Sequence, residues 1–203
     1  MQFNLSKYKV LCISNTRSPS VKKYTFCGVE LEQVQDITYL GIKLTSKLKW
    51  DQHVSTVSSK ASKVLGVVRR NLRHCPRSVR ETAYKILVRP TLEYGSAAWD
   101  PYYKKDIQKL ERVQRKAARF CAGNYNPYAG VTEMLQELNW ETLATRRKTA
   151  RLSLMYKLSQ NLTDFSVAAH LKPNNERTTR GSHAFRFVVP RAKKDILKFS
   201  FFL

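Results

Sequence analysis

The segment KDIQKLERVQRKAARFC, residues 105–121, decides the fold class because its apolar residues recur with the period of an α-helix. The apolar positions that fall on one face are Ile107, Leu110, Val113 with Gln114, Ala117, and Phe120 with Cys121. A second series, at i, i+4, i+7, i+11 and i+14, is basic throughout and consists of Lys105, Lys109, Arg112, Lys116 and Arg119. At about 1.5 Å per residue, this series predicts a positive ridge about 20 Å long. Gly123 is the predicted C-terminal stop.

Further helices are predicted on both sides of this segment. The helix from about Trp50 carries basic residues on a face of its own, namely Lys60, Lys63, Arg70 and Arg73. The next helix starts near Pro76, is kinked or ended by Pro90, and has the apolar stripe Val79, Ala83, Ile86 and Leu87. A later helix has the apolar side Leu143, Ala150, Leu154 and Leu158 and the polar side Arg146, Arg147, Lys148 and Arg151. Asn139 is its predicted cap.

The first 50 residues are typical of short strands. Lys9–Ile13, Tyr24–Cys27 and Ile37–Leu44 are β-branched or aromatic runs, and Gly41 indicates a kink or a close backbone approach within the third. Strands this short cannot form a core of their own. The predicted fold class is therefore α+β and mostly α, with short N-terminal strands or a hairpin followed by a basic helical bundle. Phe185–Val189 is a further candidate strand.

The charge is unevenly distributed along the chain. The 203 residues include 37 Lys or Arg and 15 Asp or Glu, for a formal net charge of +22. Residues 51–120 carry sixteen basic and six acidic side chains, so almost half of the excess lies in the helical middle third. A charge run on a helix is usually a solvated face, but here acids at i±4 do not balance it. Together with interleaved aromatic residues, this imbalance predicts a polyanionic partner such as nucleic acid.

Signals for catalysis are weak. The six aspartates are isolated, and Asp100 and Asp106, which flank a turn, are predicted to be helix-start carboxylates. The four cysteines form no C-x-x-C pair, and no phosphate-binding glycine loop is present. The sequence therefore predicts no metal site, no cofactor and no self-sufficient enzyme. It has neither a secretory signal nor a run of about 20 apolar residues, so we expect no membrane contact and an intracellular chain, in the nucleus or a cytoplasmic ribonucleoprotein.

Several short motifs occur in a recognisable order between residue 1 and about residue 160. They are Gln2–Leu11, Tyr39-Leu40-Gly41-Ile42, Leu48-Lys49-Trp50-x-x-His53-Val54, Lys60-Ala61, Leu65–Arg73, Tyr84-Lys85-x-Leu87-Val88-Arg89-Pro90-x-Leu92-Glu93-Tyr94, Trp99-Asp100-Pro101 and Leu110–Phe120. In this order they resemble the C-terminal part of the reverse transcriptase of non-LTR (LINE, jockey-like) retrotransposons. No single motif decides the resemblance, which rests on their order.

The resemblance implies a domain organisation. Residues 1–50 would be the end of a palm with a primer-grip-like hairpin at Tyr39, Leu40 and Gly41, and Lys7 or a neighbour would occupy a general-acid position. Residues 51–125 would be a thumb-like helical bundle, 126–171 a C-terminal helical extension, and 172–203 a basic, loosely structured tail. The nucleic-acid-binding residues expected from the hairpin and the basic faces are Tyr39, Leu40, Gly41, Lys60, Lys63, Arg70, Lys105, Lys109, Arg112, Lys116 and Arg119.

The family's metal-binding aspartates lie upstream of the segment that Asn4–Lys7 resembles, so we expect the Mg²⁺ ligands to be missing and this chain not to polymerise. Three hypotheses remain open. In the first, the chain is a non-catalytic fragment that binds RNA, DNA or an RNA–DNA hybrid, mainly through phosphates. In the second, it acts as an enzyme only together with a separate palm-containing chain. The third hypothesis is a non-functional relic or a basic interaction scaffold without specific activity.

Overall fold

The computed structural model describes residues 8–14, 22–164, 187–188 and 191. Lys7, most of the predicted tail and most of the candidate strand Phe185–Val189 lie outside these residues. The elements are β1 (Lys9–Leu11), β2 (Thr25–Phe26), β3 (Val29–Glu30), β4 (Glu32–Val34), β5 (Asp36–Tyr39), β6 (Ile42–Thr45), α1 (Asp51–Asn71), α2 (Arg77–Ala83), a π-helical segment (Tyr84–Val88), α3 (Arg89–Glu93), α4 (Lys104–Ala122), α5 (Val131–Glu137) and α6 (Leu143–Ser159). Short N-terminal strands followed by helices confirm the predicted α+β, mostly α, class.

The strands form three separate pairs. β1 pairs in parallel with β4, while β2–β3 and β5–β6 are antiparallel hairpins. In the β5–β6 hairpin Tyr39 lies opposite Ile42, and the turn between them consists of Leu40 (φ +47°) and Gly41 (φ +78°). Two residues with positive φ are typical of the tight turns that match the twist of a hairpin. Gly41 thus lies in a tight turn that divides the run Ile37–Leu44 into two paired strands, where the residues alone had indicated a kink or a close backbone approach within one run.

The core is built around α1 and α4, which run parallel to each other. Ser55 near the start of α1 contacts Lys109 near the start of α4, and Arg69 near the end of α1 lies over Tyr125, just beyond α4. The buried α1 residues are His53 and the apolar residues Val54, Ala61, Leu65 and Val68. The predicted apolar face of α4 is buried except for the half-buried Ile107. The same core cluster includes Leu143 of α6, so it extends across the predicted boundary at residue 125.

The predicted stripe of the second helix is wrong at three of its four positions. Val79, Ile86 and Leu87 are exposed, whereas Ala83 is half-buried against the core, and the buried residues are instead Tyr84, Val88 and Leu92. The physical reason is that Tyr84 stacks on Trp140 and donates to Gln114 Oε1 at 2.9 Å, which turns this side of the helix to the core. A π-helical segment begins at Tyr84, and in it the N–H of Arg89 donates to the carbonyl of Tyr84, five residues earlier. This wider turn adds a residue to the helical register just before Pro90, which has no N–H to donate. The chain therefore stays helical to Glu93 and presents a different face to the core.

The predicted polar side of α6 is also wrong in part. Arg147 is only 1% exposed, and its Nε donates to Oδ1 of Asp100 at 2.8 Å. Arg151 Nη1 donates to the other oxygen of Asp100 at 3.0 Å, and Arg146 pairs with Glu93. Asp100 is therefore an interhelical ion-pair partner and not a helix-start carboxylate, whereas Asp106 does lie in the first turn of α4. These arginines face inward because carboxylates about 50 positions away in sequence neutralise them.

Candidate nucleic-acid interface

The exposed sides of α1 and α4 meet along a shallow seam. Lys109 Nζ donates to Ser55 Oγ at 3.1 Å, which joins the two helices near their N-terminal ends. Along α1, the positions on the same face as Ser55 are small at spacings of three or four residues: Ser59, Ser62 and Gly66. Because these side chains are short, the longer basic side chains on either side of the seam project beyond them.

Most of the predicted basic residues lie on the outer surface of these two helices. Lys60, Lys63 and Arg70 on α1 are exposed, as are Lys105, Lys109, Arg112 and Lys116 on α4. Of these seven residues, only Lys109 has a carboxylate partner within the described residues, Asp106 Oδ1 at 3.7 Å. Lys105 Nζ lies 5.7 Å from the centre of the Tyr103 ring. The structure therefore brings cations that are about 50 positions apart in sequence onto one surface and leaves them largely unneutralised.

Arg119 differs from the rest of the α4 series. Its Nη1 donates to the carbonyl of Asn126 at 2.7 Å and its Nη2 to the carbonyl of Ala129 at 3.4 Å. Its guanidinium therefore holds the loop after α4, and fewer of its N–H groups remain for a ligand. The basic repeat did not indicate this, since Arg119 has the same spacing as Lys105, Lys109, Arg112 and Lys116.

The β5–β6 hairpin lies beside the same surface. Tyr39 and Leu40 at its tip are 64% and 72% exposed. Tyr94 Oη donates to the carbonyl of Leu40 at 3.1 Å, and a Cβ at Gly41 would lie 3.3 Å from the Tyr94 ring. A cleft of about 390 Å³ between the hairpin, α1 and α3 is lined by Leu40, Gly41 and Lys60, among others. The structure thus places Lys60 next to the hairpin. Neither the run around Gly41 nor the basic face of α1 had indicated that these residues are close.

His53 of α1 holds this hairpin near its turn. Its side chain is 2% exposed, and its Nδ1 accepts a hydrogen bond from the backbone N–H of Lys43 in β6 at 3.2 Å. Its ring meets that of Trp99 edge-on, with 4.5 Å between the ring centres. Burial lowers the pKa of His53 below its usual value, so the imidazole is neutral near pH 7. His53 therefore positions the hairpin against α1 and adds no charge to the surface.

A second cleft, of about 820 Å³, lies at the C-terminal ends of α1 and α4. Of the residues that line this cleft, only Arg70 was predicted to bind nucleic acid. The cleft is also lined by Arg69, Arg73, Arg80 and Tyr125. Arg70 and Arg73 follow Gly66 by four and seven residues, or about one and two helical turns, and this spacing was the available signal. Arg80 comes from α2, so only the packing of α2 against α4 places it here.

Within the described residues, no three His, Cys, Asp or Glu side chains are grouped closely enough to hold a metal ion. A search of the same residues finds no helix with the length and apolar character needed to cross a membrane. When the chain is compared with known proteins, no family model, no curated protein and no solved structure matches it.

Proposed function

We propose that this chain is the C-terminal part of a reverse transcriptase (an RNA-directed DNA polymerase) of the non-LTR, LINE-like class, and that it binds an RNA–DNA template–primer duplex without polymerising by itself. The binding surface is the basic face, which consists of Lys60, Lys63, Arg70, Lys105, Lys109, Arg112 and Lys116. In this proposal residues 51–125 act as a thumb, and the β5–β6 hairpin acts as a primer grip.

The observation that carries the proposal is the parallel packing of α1 against α4, with unneutralised cations on their shared outer surface. From Lys60 to Arg70 on α1, and from Lys105 to Lys116 on α4, the cations extend over about 15 Å at 1.5 Å per residue. Phosphates follow one another about every 3.4 Å along each strand of a B-form duplex, so several lie within reach of the two rows. Contacts of this kind supply affinity and orientation and carry no sequence information.

The hairpin supports the same proposal because it gives the basic face one edge where backbone is exposed. Leu40 and Gly41 form an exposed turn next to Lys60, and the lack of a side chain at Gly41 permits the close packing of the Tyr94 ring against this turn. Tyr94 holds this turn through its hydrogen bond to the Leu40 carbonyl. The turn is therefore fixed relative to α1, as a positioning element for a strand end must be.

The test is a titration of the chain with an RNA–DNA hybrid duplex over a salt series. The variant K63Q/R112Q/K116Q removes three cations that have no carboxylate partner among the described residues. Its matched control, K22Q/K148Q/K157Q, removes the same charge at exposed sites outside the basic face. Each lost phosphate contact lowers the slope of log K against log salt by about 1, so we expect a slope reduced by about 2–3 in the first variant and nearly unchanged in the control.

Other results of this titration would favour the remaining hypotheses. If the control reduces the slope as much as the basic-face variant, the chain acts as an unspecific basic scaffold, and the proposal is overturned. The same conclusion follows if the wild-type chain melts without cooperativity. A primer-extension assay completes the test: the proposal requires no extension by this chain alone, and extension that appears only with a separate palm-containing chain would support the two-chain enzyme.

A further inference from the structure

The arginine cleft at the C-terminal ends of α1 and α4 is lined by Gly66, Arg69, Arg70, Arg73, Arg80 and Tyr125. Arg80 has a structural task, because its Nη1 donates to the carbonyl of Phe120 at 2.6 Å near the end of α4. Arg69 lies over the Tyr125 ring, with its Cζ 5.7 Å from the ring centre. Arg70 and Arg73 are exposed and have no hydrogen-bond or ion-pair partner within the described residues.

The positive charge of the cleft exceeds the negative charge that the protein itself supplies there. The C-terminal ends of α1 and α4 both reach the cleft, and each helix end is equivalent to about half a negative charge. Four arginines therefore leave a surplus of about three positive charges, since no carboxylate lines the cleft in the described part of the chain. The Nε of Arg80 is also buried without a hydrogen-bond partner. An anion with several charges is the partner that satisfies this arrangement.

The Tyr125 side chain indicates which class of anion fits the cleft. Tyr125 is 55% exposed and lies among the arginines. Arginines beside an accessible aromatic ring are typical of sites for single-stranded nucleic acid, where bases stack on the ring and the backbone follows the cations. Bases in the interior of a duplex are already stacked on both faces, so apart from the terminal base pair only an unpaired nucleotide offers a free base face to Tyr125. At about 820 Å³, the cleft falls in the size range of pockets for small ligands.

We propose that the arginine cleft binds a single-stranded extension of the duplex held on the basic face, with a base against Tyr125 and the adjoining phosphates on Arg70 and Arg73. This proposal rests on the function proposed above. Arg70 follows Lys63 by seven residues and so lies on the same side of α1. A strand that leaves the basic face toward the end of α1 therefore runs directly into the cleft.

The test compares a blunt RNA–DNA duplex with the same duplex carrying an unpaired extension of about four nucleotides, at one salt concentration. Stacking of one base corresponds to about a tenfold gain in affinity, which we expect for the wild-type chain. Y125A and R73Q should each lose most of this gain and keep blunt-duplex binding within about twofold. The matched controls Y125F, which retains the ring, and K148Q, which removes a charge elsewhere, should keep the gain. Thermal melts verify that each variant is folded.

The possible results separate this proposal from the one on which it rests. If the wild type binds the blunt duplex and the extension adds nothing, or if Y125A and R73Q retain the gain, the cleft proposal is overturned and the basic face is unaffected. If the blunt duplex does not bind at all, the proposed function is overturned. Binding of the isolated single strand that Y125A and R73Q abolish would then still support the cleft.

Discussion

Asp100 holds Arg147 in the interior: Arg147 Nε donates to Asp100 Oδ1 at 2.8 Å, and the Arg147 side chain is 1% exposed. The other oxygen of Asp100 accepts from Arg151 at 3.0 Å, so one carboxylate ties two successive turns of α6 to the segment between α3 and α4. The Asp100 carboxylate is the group that neutralises the charge of the buried Arg147 guanidinium. α6 is therefore fixed to the helical bundle by charge as well as by Leu143.

The first prediction concerns the removal of Asp100. D100A leaves Arg147 buried without its counter-charge and should lower the free energy of unfolding by about 3 kcal/mol, the low end for a broken buried pair, because Asp100 is partly exposed. R147M removes the cation itself, so it should lower the free energy of unfolding by less than D100A does. Urea denaturation followed by circular dichroism measures both values. Equal losses in the two variants would contradict the ion-pair explanation.

The second prediction concerns pH and follows from the lowered pKa of His53. In the unfolded chain the imidazole takes up a proton near its ordinary pKa of about 6.5, whereas in the folded chain burial keeps it neutral to lower pH. Since the unfolded state then binds more protons, stability should fall as pH drops below about 6.5, by at most about 1.4 kcal/mol per pH unit. Denaturation curves between pH 7 and pH 5 measure this slope.

The control for this pH dependence is H53Q, which cannot titrate and retains an amide oxygen to accept from the N–H of Lys43. Its stability should change less than that of the wild type between pH 7 and pH 5. If the two proteins keep the same slope, another group is responsible and the assignment to His53 is wrong.

The third prediction concerns thiol reactivity. Cys121 is fully buried in the core, and burial raises its pKa to about 12, whereas Cys27 is exposed in the turn between β2 and β3. Alkylation requires an accessible thiolate. At pH 8, mass spectrometry should therefore find Cys27 modified in the native protein and Cys121 unmodified, and urea should make both react. Labelling of native Cys121 at the rate of Cys27 would show that the core opens readily.

The fourth prediction uses two glycines with similar backbone conformations. Gly28 (φ +77°) and Gly95 (φ +65°) both lie in the left-handed region, so alanine at either costs about 1–2 kcal/mol. A Cβ at Gly28 meets nothing within 4 Å, whereas at Gly95 it would lie 2.9 Å from Ile42 Cδ1 in β6. Because this contact must shift, G95A should lower the melting temperature more than G28A does. Equal melting temperatures would mean that the hairpin adapts without cost.

The elements that could be predicted are those whose signal lies within a few residues. The 3.6-residue period of 105–121 predicted α4 and its buried face, and the β-branched or aromatic runs predicted β1 and β2. The run Ile37–Leu44 was predicted as one strand with a kink, and the hairpin that divides it into β5 and β6 was implied only by the resemblance. β4 was not predicted, because Glu32–Val34 is polar and its pairing partner β1 lies more than 20 residues earlier. Contacts between residues distant in sequence leave no local periodicity to read.

The sequence by itself determined the charge excess, the positions of the long helices and the basic series on α1 and α4, because these depend on composition and on neighbours three or four residues apart. Only the tertiary structure decided which cations meet. It placed Lys109 against Ser55 and directed Arg119 to the carbonyls of the loop after α4. It also buried Arg147 beside Asp100 and grouped arginines from α1 and α2 beside Tyr125. Contacts with Gln114 and Trp140 likewise placed Tyr84, and not Ile86, in the core. The physical reason is that burial and charge compensation depend on partners about 7 to 55 positions away, which local spacing does not encode.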